Sequence, residues 1–247
     1  HSFPRRVLFR SCMGRIFEKR KHKMFARFDR MAKAFTRIGK DIAIAVKQGG
    51  PNPDNNPRLR MAIQNAKGVN MPKDRVEAAI KRASSKEEKD FQEVVYEGYA
   101  PHGVPVLVEC ATDNPTRTVA NIRLHFSKNG GNMGNSGSVS FLFERKGVFK
   151  FDPAKLNLDE YELDLIDAGA EDIQREEEEI VVFTKFTEFG QMQKFLESKG
   201  LAAKSSELQY IPAATKELAE KELDETMECI TALEEDDDVQ NVYHNLA

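Results

Sequence analysis

The chain has 247 residues, 40% of them hydrophobic and 31% charged, enough to bury a core beneath a large polar surface. No apolar run approaches the ~20 residues of a membrane-spanning helix, and the three scattered cysteines, Cys12, Cys110 and Cys229, fit neither a disulfide framework nor zinc-ligand spacing. The net charge of −3 hides a division: residues 1–90 hold 23 Lys+Arg against 9 Asp+Glu, and residues 91–247 hold 14 against 31. Such asymmetry joins a polyanion-binding arm to acidic domains, or lets two lobes attract each other.

Residues 1–12 (HSFPRRVLFRSC) fit none of the elements that follow and read as a non-native extension, with Met13 as the natural start. Their Arg-rich, acid-free composition also fits a transit-peptide remnant. The expected location is therefore cytoplasmic, or the mitochondrial matrix on the second reading. Unpaired cysteines suit a reducing compartment in either case.

Residues 13–90 are expected to form a basic helical domain. Over 14–28, basic residues alternate with Phe17, Phe25 and Phe28, as in a helix or an arm that orders on a partner. A helix is predicted over 29–48, capped by Asp29 and stopped by Gly49-Gly50. Met31, Phe35, Ile38, Ile42 and Val46 form an apolar stripe, and Arg30, Lys33, Arg37, Lys40 and Lys47 a basic ladder opposite it. A Pro/Asn-rich loop leads to helices at 57–67, with Pro57 in its first turn, and 73–83.

From Phe91 the pattern changes to strands mixed with helices, an α+β arrangement of antiparallel or mixed sheets. Strands are predicted at 94–99 and 104–110 as a hairpin, and a helix at 115–128 capped by Asp113 or Asn114. A glycine-rich loop follows at 130–137, then a strand pair at 138–145 and 147–151. Next come a helix at 159–167, strands near 170–174 and 180–184, a helix at 187–198, a strand near 207–211, a helix at 215–234 and a strand at 239–244. The expected division is one α/β domain from 91–140 plus 211–247, with a ferredoxin-like domain, 141–210, inserted into it.

Chemistry is sparse. The 130–137 loop leaves a helix and enters a strand, the reverse of a phosphate-binding loop, so its glycines are read as turn residues. Glu97, Glu109 and Asp113 have no catalytic partner placed by a recognisable motif, and His102 and His125 read as surface residues. No catalytic residue, metal site or cofactor is expected. An enzyme working in a cleft near Asp113, Asn114 and Arg117 is the competing class, and it requires a deep pocket with perturbed carboxylates.

The stronger signal is the basic lobe. Arg15, Lys19, Arg20, Lys21, Lys23, Arg27, Arg30, Lys33, Arg37, Lys40, Arg58, Arg60, Lys67 and Lys73 are the candidate nucleic-acid contacts, since phosphate binding draws mainly on Lys and Arg. No helix-turn-helix, zinc-finger, RRM or KH signature accompanies them.

Three stretches carry a resemblance: Gly49–Pro53 with Asn56–Arg60 and Asn70–Asp74; Tyr96–Gly103; and Val108–Thr118 with Gly130-Gly131, Gly134 and Gly137–Val139. The sequence resembles the YebC/PmpR family, which includes a mitochondrial translational activator of cytochrome c oxidase. That resemblance implies three domains around a cleft, a motif cleft at Asp113, Asn114, Arg117 and Thr118, and non-catalytic control of gene expression. The implied partner is nucleic acid, ribosomal RNA favoured and DNA the alternative, with no membrane and no small-molecule substrate.

Overall fold

The computed structural model describes the backbone of residues 13–85 and 90–247, and side chains from Met31 onward. Its first element is a single helix, α1 (Met13–Gly49). The sequence predicts a start at Asp29, yet the helix runs through that position. No proline interrupts 13–49 and the one interior glycine, Gly39, has open space around it, so nothing there obliges a stop. The candidates Arg15, Lys19, Arg20, Lys21, Lys23, Arg27 and Arg30 lie on this segment, and their side chains fall outside the described residues.

Helices α2 (Pro57–Gly68) and α3 (Lys73–Ala83) pack on the second half of α1. Ile38, Ile42, Ala45, Val46, Leu59, Ala62, Val76 and Ala79 form that core. Asn56 fixes the corner. Its buried side chain accepts the Leu59 N–H, capping α2, and donates to the Ala45 and Gly50 carbonyls at the end of α1.

The rest is α+β. Strands β1 (Gln92–Ala100), β2 (Val104–Thr112) and β3 (Asn132–Met133) belong to an antiparallel sheet of order β3-β1-β2-β8, in which β8 (Val239–His244) returns beside β2. Helices α4 (Pro115–Lys128) and α7 (Glu220–Glu234) bury Ile122, Phe126, Cys229 and Leu233 against it. The second sheet uses β4 (Phe143–Phe151), β5 (Ala170–Arg175), β6 (Ile180–Lys185) and β7 (Ser205–Pro212) in the order β5-β6-β4-β7. Helices α5 (Leu158–Asp167) and α6 (Phe189–Lys199) complete its core with Phe149, Phe151, Leu165 and Met192. This βαββαβ order is that of a ferredoxin-like unit.

Later elements also differ from the sequence pattern. The strand pair expected at 138–145 and 147–151 is one strand, preceded by a helical turn at Ser140–Leu142. Gly147 lies inside that strand: a Cβ there would meet the Thr184 Oγ1 at 2.4 Å and the Phe189 ring at 2.5 Å, so the glycine permits close approach of β6 and α6. Helix α7 begins at Glu220 rather than 215, because Lys216 is held in a parallel bridge to Leu246.

The helical domain meets both sheets. On α2, the Asn65 amide donates to the Ser206 carbonyl (3.0 Å) and accepts the Ser206 N–H (2.9 Å), pairing with the backbone of β7. Beside it, a Cβ on Gly68 would fall 1.9 Å from the Lys204 carbonyl oxygen. The sheets meet each other through Leu107, Val139 and Phe143, with Tyr210 set edge-on to Tyr243. Gly68→Ala is expected to destabilise the protein in urea titration by forcing α2 off β7. Gly39→Ala is expected to stabilise it by about 0.5–1 kcal/mol; shifts of the same sign would contradict this packing.

Candidate nucleic-acid interface

The candidate cations divide by the direction they face. Those facing the sheets are committed to internal partners. Lys40 is the clearest case: its Nζ donates to the Ala111 carbonyl (2.8 Å), the Asp237 carbonyl (2.7 Å) and the Asp238 carboxylate (3.2 Å), and its side chain is 12% exposed. It is a docking residue, which corrects its expected place in a free ladder; the helical stripe passes directly over the end of β2. Arg37 reaches the Glu234 carbonyl at 3.3 Å. Arg58 is held by Glu93 and Gln48, and Arg60 by Glu197 and the Pro53 and Asp54 carbonyls.

Lys33, Lys67 and Lys73 are exposed, Lys73 beside Glu77 at 3.5 Å. Sequence reasoning missed Arg75, Lys81 and Arg82, which are exposed on α3. Arg75 sits over the Phe35 ring at 5.6 Å, so cations of α3 lie next to those of α1. The signal available was the spacing of Arg75 and Arg82, seven residues apart on one helix face.

The motif cleft is a structural hub. Asp238, 7% exposed, accepts from Arg117 (2.8 Å), Thr118 (2.8 Å), Thr112 (3.2 Å) and Lys40. Burial alone would raise its pKa, but the donors from Arg117, Thr118 and Lys40 hold it below the ordinary carboxylate range. Asn114 caps α4 by accepting the Arg117 N–H, and Asp113 pairs with Arg117 at 3.0 Å. Each motif residue is thus engaged in folding this corner.

The glycine-rich loop has a parallel fate. Gly130 and Gly137 take positive φ, 72° and 84°. The loop's N–H groups at Gly137, Val139 and Ser140 converge on the Glu97 carboxylate at 2.7–2.9 Å. The cradle therefore holds an internal anion. Burial opposes the Glu97 charge, yet these donors lower its pKa. His102 is exposed, as expected, with Glu225 at 2.7 Å, whereas His125 is half-buried against Asp236 (3.3 Å).

Residues 15–86 match the family description "TACO1/YebC protein N-terminal domain", and residues 91–246 match "TACO1/YebC second and third domain". The chain belongs to the TACO1/YebC family. A "Probable transcriptional regulatory protein" of Anaeromyxobacter dehalogenans is 58% identical over 240 residues, covering 95% of this chain and all of that one. Its namesake from Myxococcus xanthus is 54% identical with the same coverage. The crystal structure of a conserved hypothetical protein from Aquifex aeolicus superposes with a TM-score of 0.77 at 40% identity, covering 87% of this chain and 90% of that one. As a TACO1/YebC member the chain is a regulator with an N-terminal domain followed by a two-domain region. Among the described residues no helix is long and apolar enough to cross a membrane.

Replacing Asp238 with Ala strands Lys40 among buried groups and is expected to cost about 3–5 kcal/mol at pH 7. Because the folded pKa is depressed, that stability is present above the unfolded value of about 3.9 and is lost as pH falls through the folded one. Urea titrations at pH 7 and pH 3 check this: the deficit relative to the parent should shrink at pH 3.

Proposed function

We propose that this family member is a non-catalytic regulator that docks on ribosomal RNA through the outward cations of its helical domain. The observation that carries the reading is the division of cations. Lys40, Arg58 and Arg60 are used internally, while Lys33, Lys67, Lys73, Arg75, Lys81 and Arg82 remain exposed on α1, α2 and α3. A polyanion is the partner such a surface suits. The seven N-terminal cations from Arg15 to Arg30 extend the same charge along α1. RNA is favoured because structured RNA is recognised through shape and backbone without a base-reading motif.

In this reading residues 13–90 are the binding domain. The acidic parts, 91–140 with 211–247 and the insert 141–210, stay clear of phosphate or meet protein. Two buried thiols, Cys110 and Cys229, suit a reducing cytoplasm. The absence of catalysis is supported by the internal use of Asp113, Asn114, Arg117 and Thr118. A DNA-binding transcriptional regulator is the second reading, favoured by the names of the relatives.

Co-sedimentation with ribosomes across a salt series, beside random and promoter duplex DNA, tests the two. Salt-sensitive ribosome binding with weak, sequence-blind DNA binding supports the RNA reading. Promoter-selective binding without ribosome association overturns it. Lys33→Ala combined with Arg75→Ala is expected to weaken ribosome binding and to lower the slope of log K against log salt by about 1.5. An unchanged slope removes the α1–α3 face from the interface.

A further inference from the structure

Between the helical domain and the two sheets lies a cavity of about 540 Å³. Apolar walls come from Ile38, Met61, Val69 and Leu208. The charged groups facing its interior are Asp41 and Arg37 from α1, Arg58 from α2, Glu93 and Glu109 from β1 and β2, Arg145 from β4 and Glu207 from β7; β8 adds the neutral Gln240 and Asn241, and α6 adds Gln193.

Most of these charges are matched. Arg58 is paired with Glu93, and Glu109 accepts from Asn241 and Tyr243. Arg145 lies over the Phe186 and Tyr210 rings, and Arg37 donates to the Glu234 carbonyl. Two carboxylates are left. Glu207 accepts only from its neighbour Gln209. Asp41, half-buried at the cavity wall, has no hydrogen bond or ion pair with any described residue. A carboxylate partly withdrawn from water and unpartnered is costly to keep charged. Burial first, then the neighbouring Glu207, push its pKa up to about 7.

We propose that this cavity binds a small organic cation, a primary amine or guanidinium compound, whose N–H donors sit between Asp41 and Glu207 and whose carbon chain lies on the apolar wall. The cavity lining holds four carboxylates against three guanidinium groups, so its excess charge is negative, which sets the sign of the ligand. Its volume is within the range of small-molecule sites. The ligand supplies the donors that the fold leaves out at Asp41. Because the cation and a proton compete for Asp41, affinity rises with pH, about tenfold between pH 6 and pH 8 for one such group.

Titration calorimetry of the full chain, freed of nucleic acid, with spermidine as probe tests this. Saturable one-to-one binding, tighter at pH 8 than at pH 6, is the expected result. Asp41→Asn, nearly the same size and neutral, should weaken it at least tenfold and flatten the pH dependence; Glu207→Gln should also weaken it. Glu235→Gln, in the run of five acids Glu234–Asp238 and outside the cavity, should leave it unchanged. No saturable binding, or equal affinity in Asp41→Asn, overturns the proposal and assigns any residual heat to the acidic surface. Urea titration of Asp41→Asn verifies that the variant is folded, so a loss of binding is read at the site.

Discussion

The Asp238 carboxylate joins more of this molecule than any other side chain described. A charge removed from water costs several kcal/mol unless donors replace its hydration, and here four side chains share that role: Lys40 of α1, Thr112 at the end of β2, and Arg117 and Thr118 of α4. The long first helix is thereby fastened to the first sheet at one charged point within an otherwise apolar stretch of Ile38, Ile42 and Val46. Its direction fixes where the helical domain lies, and with it the walls of the central cavity. Apolar contact alone is non-directional; the Lys40 ammonium, with three acceptors at set positions, makes the docking angle specific.

The charge division between the two parts of the chain is partly used inside the molecule. Lys40–Asp238, Arg58–Glu93, Arg60–Glu197 and Lys47–Asp90 all run from the basic helical domain to the acidic remainder or the link before it. The attraction of one lobe for the other is thus part of how the molecule holds together. It does not exhaust the basic charge, since α3 presents Arg75, Lys81 and Arg82 outward. That outward surface has inward neighbours, Arg58 and Arg60, that are already neutralised.

Local features were legible wherever the cause is local. Pro57 and Pro115 at helix starts, with Asn56 and Asn114 before them, mark α2 and α4 to within a residue, because a cap and its helix are neighbours in sequence. The motif at Asp113 to Thr118 could be found, but its role could not, since the acceptor that organises it is Asp238, 120 residues beyond Thr118. Lys40 failed for the same reason: periodicity tells which face a residue is on and is silent about what covers that face. Why position 147 must be glycine was not legible, because the Thr184 and Phe189 groups that crowd it lie on β6 and α6, far away in sequence. Asp41 was the least legible, as one acid among basic residues whose isolation arises only when three parts of the fold close around it.

The separation of 198 residues between Lys40 and Asp238 also has a meaning in time. At roughly 5–20 residues per second of synthesis, the helix waits about 10–40 s for its anchor. The four strands of the second sheet all precede α7, so that unit can close first, whereas the first sheet lacks an edge until β8 is made. During that interval Arg58 can find Glu93 and Arg60 can find Glu197, but Lys40 has no carboxylate to meet. The long first helix therefore gains its charged anchor on the first sheet only when almost the whole chain has been made.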